Sequence, residues 1–345
     1  AIVLMATWGG NQYAWTSPVI IGLGTAGLIC WGLFAYVETR AADPILPWSI
    51  LTNRTFIVST AVGMLAMGGM IGVMSYLPTY LQMVYGYSAT ASGLLLVPIT
   101  IGMLVSSILS GILVSRTDRY KIYPVLGPLV AAGASFWLSR LTTTSPVWQI
   151  SAATFFMGAG IGMFFQLLVT VVQNAIEARH LGTATSGNNF FREVGVSLGA
   201  SLIGAAFSSG LTSNLTDRIG ELARSADPAV LGTLAQFKDA DTSSLTPALV
   251  DQLPTVLHDA VASSYADALL PIFGWMIPLF VATSVIALLL PEVPLSQKTA
   301  MEQIAEAEDT AEVEVSEPTA SQEPDSAAQQ AERESTEPAT AAVTE

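Results

Sequence analysis

Seven apolar stretches, each long enough to cross a bilayer as a helix, govern what this chain can become. A hydrocarbon core of about 30 Å is spanned by about twenty residues, each rising roughly 1.5 Å. Runs 19–37, 56–81, 92–114, 147–172 and 269–290 meet that length clearly, and 122–141 is adequate. The run 183–207 is weaker, because Asn188, Asn189, Arg192 and Glu193 interrupt it. Residues 1–8, AIVLMATW, read as the remainder of a further span, so a longer protein is expected. No run alternates with the period of two that a membrane barrel requires. The expected class is an all-α integral membrane protein.

Charge supports this reading once it is located. Charged residues are 12% of the chain, against about a quarter in soluble domains. Most of the net charge of −14 sits in residues 292–345, where fourteen acids face only Lys298 and Arg333. That segment is rich in Ala, Glu, Ser, Thr and Pro, a composition expected to stay disordered. A basic surface for nucleic acid is absent. Cys30 is the single cysteine, which excludes an intrachain disulfide.

The connectors fall into two alternating kinds. Segments 9–18, 82–91 and 142–146 hold no Lys or Arg. Segment 38–55 holds Arg40 and Arg54, 115–121 holds Arg116, Arg119 and Lys121, and 173–182 holds Arg179. Basic connectors stay in the cytoplasm, so the second set is expected inside. The resulting order is linker spans in 1–37, the first truncated, then a cytoplasmic loop at 38–55. Five spans follow in 56–207, then a long extracytoplasmic loop at 208–267. The last span is 268–290, and 291–345 is a disordered acidic cytoplasmic tail. Within the outer loop, 231–237 and 249–262 look amphipathic and are expected to form short surface helices.

Glycines recur four apart at Gly68/Gly72, Gly158/Gly162 and Gly195/Gly199, a spacing that lets helices approach closely in lipid. The connector from Gly111 through Leu113, Arg116, Asp118 and Arg119 to Lys121 resembles the second copy of motif A of the major facilitator superfamily. Ser115 stands where that motif has an acid and Asp118 where it has glycine. Pro44 to Pro47 followed by Leu51 to Phe56 is similar to the entry of the ninth helix of fourteen-helix transporters. Tyr76 to Gln82, Gly86 to Gly93 with Pro98, Gly158 to Gly162, Gln173 to Ala175, and Gly182 to Ser186 leading to Arg192 continue the likeness in order. Together they resemble the EmrB/QacA-type drug:proton antiporters. The resemblance implies the C-terminal six-helix bundle of a major facilitator fold, plus a linker helix and a partial one. It implies as partners a small-molecule substrate, protons, the bilayer, and an N-terminal half of the same protein. A multi-pass location in a bacterial inner or plasma membrane follows from it.

Three groups of residues carry the candidate chemistry. In motif A, Gly111, Arg116, Asp118, Arg119 and Lys121 form either a cytoplasmic latch or a set of topology-fixing charges. Arg192 and Glu193 lie inside an expected span, where charges usually face a bundle interior or a wet cavity. They are gating or coupling candidates, or else interfacial charges on a protruding helix. Adjacent residues diverge by about 100°, so the two cannot satisfy each other directly. Few other acids sit in spans, so the main coupling carboxylate is expected outside this chain. Met70, Met74, Tyr76, Tyr80, Phe164, Gln166, Asn188 and Asn189 are substrate-cavity candidates, with Met64, Met67 and Phe165 nearby. Met adapts to varied shapes and aromatic rings take apolar or cationic ligands.

Other signals carry no function. Gly22, Gly24 and Gly27 match a dinucleotide fingerprint but lie in a membrane run with no strand before it. None of the three lysines sits in a phosphate-binding loop, and His180 and His258 show no zinc spacing. No cofactor or metal is expected, and no nucleophile, base and orienter occur together as an enzyme would need. The expected function is export of drugs or amphiphiles in exchange for protons by alternating access. The alternatives are a dedicated exporter of a lipid, peptide or siderophore, and a non-transporting scaffold that recruits a partner through its acidic tail.

Overall fold

The computed structural model describes residues 4, 5, 8, 13, 16–41, 47–117, 119–225, 250 and 254–291. The helices are α1 (Pro18–Glu38), α2 (Trp48–Leu51), α3 (Arg54–Tyr85), α4 (Ala89–Leu94), α5 (Val97–Thr117) and α6 (Ile122–Ser139). They continue with α7 (Val147–Asn174), a 3-10 turn (Ala178–His180), α8 (Leu181–Ser225) and α9 (Thr255–Leu288). Among the described residues there is no β-strand, and seven segments are long and apolar enough to cross a membrane. One of them joins α4 and α5 as Ala89–Thr117. The interruption there has a local cause: Pro98 has no N–H to bond the carbonyl of Leu94.

Local chemistry sets the helix ends. Asn53 Oδ1 accepts the N–H of Thr55 at 2.9 Å and of Phe56 at 3.2 Å, capping α3. Its Nδ2 donates to the carbonyl of Ala175 at 3.1 Å, tying the start of α3 to the end of α7. At the other end Gly86 adopts φ 66°, a left-handed conformation that glycine takes without a Cβ penalty. Pro78 sits inside α3, where Gln82 Nε2 donates to its carbonyl at 3.2 Å.

The packing follows a repeat. α3 packs on α8 as α7 packs on α5; α3 packs on α9 as α7 packs on α6. Exchanging α3 with α7, α5 with α8 and α6 with α9 therefore preserves these pairings, while α6·α9 and α3·α7 map onto themselves. Three spans per repeat is an odd number, so the second repeat enters from the opposite face, as in inverted-topology transporters. α1 stands outside this scheme. Only Ile20 and Gly27 of that helix are buried, and it makes no extensive contact with the others.

Close backbone approach holds the pairs together. Lipid tails are as apolar as leucine, so burial alone gives little drive to associate, and van der Waals contact must supply it. In the α3·α8 seam, a Cβ at Gly195 would strike the carbonyl of Met64, and one at Gly199 the carbonyl of Gly68. In the α5·α7 seam, Gly102 lies against Phe155, Gly158 against Ile99 and Gly162 against Met103. The glycine pairs read from the sequence are thus contact points.

Two expected boundaries shift. The segment 208–267 is not loop throughout: α8 continues to Ser225 and α9 begins at Thr255. Residues 208–225 are too polar to register as a span, yet Phe207, Leu211 and Leu215 form a buried stripe at helical spacing. Residues 255–262 belong to the first turns of α9 rather than to a separate surface helix, while 231–237 lies outside the described residues. Within 38–55, the short helix α2 forms and α3 starts at Arg54. The tail beyond Pro291 also lies outside the described residues.

Candidate functional site

Polar side chains collect on one face of α8, in its first turns. Thr185, Asn188, Asn189 and Arg192 fall within an arc of about 100° on a helix of 3.6 residues per turn. Each reaches a partner. Gln173 Nε2 on α7 donates to Thr185 Oγ1 at 3.3 Å. Asn188, buried, donates through Nδ2 to Thr60 Oγ1 on α3 at 3.0 Å. The Nη2 of Arg192 donates to Asn189 Oδ1 at 2.7 Å. Its guanidinium carbon stands 4.4 Å from the ring centroid of Phe165 on α7, a cation–π contact. The stem of Arg192 passes the backbone of α3 at Gly63, where an added Cβ would lie 3.9 Å from Cδ.

The seam therefore occupies the junction of α3, α7 and α8. No Asp or Glu occurs in α3, α5, α6 or α7. Glu193 follows Arg192 directly but is exposed on another face of α8 and makes no salt bridge with it. The two charged candidates thus part company, as their 100° separation requires.

The other cavity candidates divide. Met70 is buried, and Met74 is exposed. Tyr76 is half-buried, its ring 5.0 Å from Phe207, which stands 5.2 Å from Tyr265. This aromatic cluster joins α3, α8 and α9 some turns beyond the polar seam. Tyr80 and Phe164, candidates for either a cavity wall or helix packing, are interior. Tyr80 is fully enclosed, and Phe164 is pressed against Gly127 of α6. Phe165 points to the seam while Phe164 points away from it, because consecutive helical residues diverge. Gln166 is exposed. Thr60, Gln173 and Thr185 also belong to the site; Gln173 and Thr185 fall in stretches that carry the family resemblance, whereas Thr60 is a small polar group with no signal in sequence.

The motif A-like connector lies on the same side as the start of α8. Arg116 is in the last turn of α5, Arg119 is exposed, and Lys121 precedes α6. Gly111 is exposed with open space around it, and Asp118 lies outside the described residues. Among the described residues, none of the three cations forms a salt bridge. Tyr120 between them is buried and donates its hydroxyl to the carbonyl of Pro291 at 2.5 Å, fixing the connector to the end of α9. A cavity of about 720 Å³ lies at the opposite end, lined by Thr144, Arg218, His258 and Asp259 among others. Arg218 there is paired with Asp267 at 2.5 Å.

Helices in an inverted repeat around a polar seam define a multi-span membrane protein of the secondary-transporter kind. Residues 1–200 match the Major Facilitator Superfamily, and the chain belongs to that superfamily. It is thus a transporter-family protein and not an enzyme. It is 37% identical over 296 residues to an uncharacterized MFS-type transporter of Mycobacterium tuberculosis, Rv1877, covering 86% of this chain and 41% of that protein. With the multidrug transporter protein MdtP of Bacillus subtilis it shares 30% identity over 315 residues, 88% of this chain and 58% of the relative. A tetracycline resistance determinant of Streptomyces rimosus is 27% identical over 245 residues, 69% of this chain and 70% of the relative. The chain thus matches 41% and 58% of the length of the first two relatives. A solved bacterial homolog to the human lysosomal transporter Spinster, inward-facing and occupied, superposes with TM-score 0.52 at 18% identity. That match covers 70% of this chain and 50% of the other, and shows a shared fold.

Proposed function

We propose that this chain is the C-terminal bundle of an EmrB/QacA-type fourteen-helix exporter that moves amphiphilic small molecules out of the cell in exchange for protons. The observation that carries this is the polar seam on α8. A charged residue at the centre of a membrane helix costs about 2.5–3.5 kcal/mol on insertion scales. A bundle held together by glycine contacts has no structural need for such a group. Arg192 and its neighbours are therefore read as one wall of the central path, which an N-terminal half closes from the other side. The names of the relatives, multidrug transporter and tetracycline resistance determinant, support an exported cargo. The repeat of three spans supports alternating access by rocking of one bundle against another. The basic connectors support a cytoplasmic location for the start of α8 and for the tail, and the bacterial relatives support a bacterial plasma membrane.

Two measurements test this. In proteoliposomes holding the intact transporter, cargo movement is expected to follow an imposed proton gradient and to stop when an ionophore collapses it. Cargo flux that ignores the gradient removes the antiport. For orientation, in a background with Cys30→Ser and every cysteine of the rest of the transporter replaced, Thr143→Cys is expected to react with an impermeant maleimide in intact cells, and Arg119→Cys is not. The reverse pattern overturns the topology.

A further inference from the structure

We infer that the cargo carries an anionic group, a carboxylate, sulfonate or phosphate, and that Arg192 is the residue that recognises it. The inference rests on the export reading above and names its substrate class.

Placement comes first. Arg192 lies eleven residues after Leu181, about 16 Å along α8 at 1.5 Å per residue. The other basic residues of α3, α5 and α8 stand elsewhere: Arg54 opens α3, Arg116 is in the last turn of α5, and Arg218 and Arg224 are in the polar extension of α8. Arg192 is thus the cation set at membrane depth.

Its bonding comes next. A guanidinium carries five N–H donors in a planar fork and stays charged. Among the described residues its side-chain hydrogen bond goes to a neutral amide, Asn189, and it makes no salt bridge. The neighbouring polar groups are neutral too and pair with each other, Asn188 with Thr60 and Gln173 with Thr185. Phe165 lies against the guanidinium at 4.4 Å, and Asn189 engages one N–H of Nη2, which leaves further donors of the fork for a second partner. Planar, bidentate recognition of an oxyanion uses such donors. The adjacent Glu193 offsets the charge of Arg192 only through space, without a salt bridge, so a cationic cargo at the guanidinium would still meet a like charge.

The experiment uses the intact transporter and two probes of similar size, the carboxylate dye 5-carboxyfluorescein and the cation rhodamine 6G. Equilibrium binding in detergent and gradient-driven flux in phosphatidylcholine vesicles are measured for the wild type, Arg192→Gln and Arg192→Lys. Ser110→Ala on α5 serves as the control. Tighter binding of the carboxylate is expected in the wild type, with a loss of about tenfold or more in Arg192→Gln, the scale of a charged hydrogen bond. Arg192→Lys is expected to recover part of it, and the effect on flux should fall on KM rather than kcat. Preference for the cation, or equal losses of both probes in Arg192→Gln, overturns the inference. Vesicles doped with phosphatidylglycerol separate the sources of the anion. If that lipid abolishes carboxylate binding, Arg192 serves a lipid headgroup and the cargo assignment falls. Carboxylate binding that depends on Arg192 without gradient-driven flux upholds the recognition and removes the export reading. Flux of the cation alone does the opposite.

Discussion

The α3·α8 and α5·α7 seams are symmetry mates, built on the same close glycine contacts, yet they differ in where their polar groups look. In α5·α7, the Oγ of Ser106 donates to Met103 and the Oγ of Ser110 to Ser107, both within their own helix. In α3·α8, Asn188 crosses to Thr60 and Arg192 lies against Phe165 of a third helix. Self-satisfied hydroxyls make a seam that only packs. Side chains that reach across spend polarity on a meeting place of helices, and that is where transport chemistry is to be sought.

The largest effect expected is one the two seams share. Gly158→Leu and Gly195→Leu each drive a side chain into a facing carbonyl, and neither is expected to yield a folded, monodisperse protein. Were one of them to purify with a wild-type unfolding midpoint, the packing equivalence of the seams would be broken. Next come the adjacent phenylalanines of α7. Phe164→Ala opens an interior cavity and is expected to cost about 3–5 kcal/mol of stability. Phe165→Ala is expected to lose only about 0.5–2 kcal/mol, the value of the ring's contact with Arg192. Calorimetric unfolding of both variants checks the order, and equal losses would erase the distinction between the two faces.

Across the seams, Arg192→Ala is expected to lower kcat/KM for a carboxylate cargo by about ten- to a hundredfold, while Ser106→Ala changes it little. A transport assay giving the opposite ranking would move the site to the mate seam. The smallest effect is the coupling between Thr60 and Asn188. A double-mutant cycle with Thr60→Val and Asn188→Leu is expected to return about 0.6 kcal/mol, typical of hydrogen bonds between membrane helices. A coupling of zero would mean the hydrogen bond does not hold in lipid.

How much of this was legible beforehand depends on what each signal measures. Span number and order could be read directly, because length and apolarity are properties of the chain itself. The extension of α8 through 208–225 could not, because hydropathy registers lipid exposure and those turns need only the stripe of Phe207, Leu211 and Leu215. Arg192, Asn188 and Asn189 stood out as polar groups in an apolar run. Thr60, the partner of Asn188, and the Gln173–Thr185 pair did not, since they become part of a site only when α3, α7 and α8 are set side by side. Whether Phe164 or Phe165 turns toward Arg192 is likewise a matter of helix phase relative to neighbours, which apolar residues on every face conceal. The basic connectors were visible, but the anchoring of Tyr120 on Pro291 depends on a contact 171 residues apart in sequence.

The length of α8 carries one more consequence. From Arg192 to its last residue, Ser225, the rod runs about 50 Å, so a pivot of about five degrees at the seam sweeps its tip through about 4 Å. The Arg218–Asp267 pair grips α9 partway along that arm. A small displacement where cargo would sit is therefore geared up into a large one beyond the bilayer, and a binder clamped on the tip has the mechanical advantage to stall it.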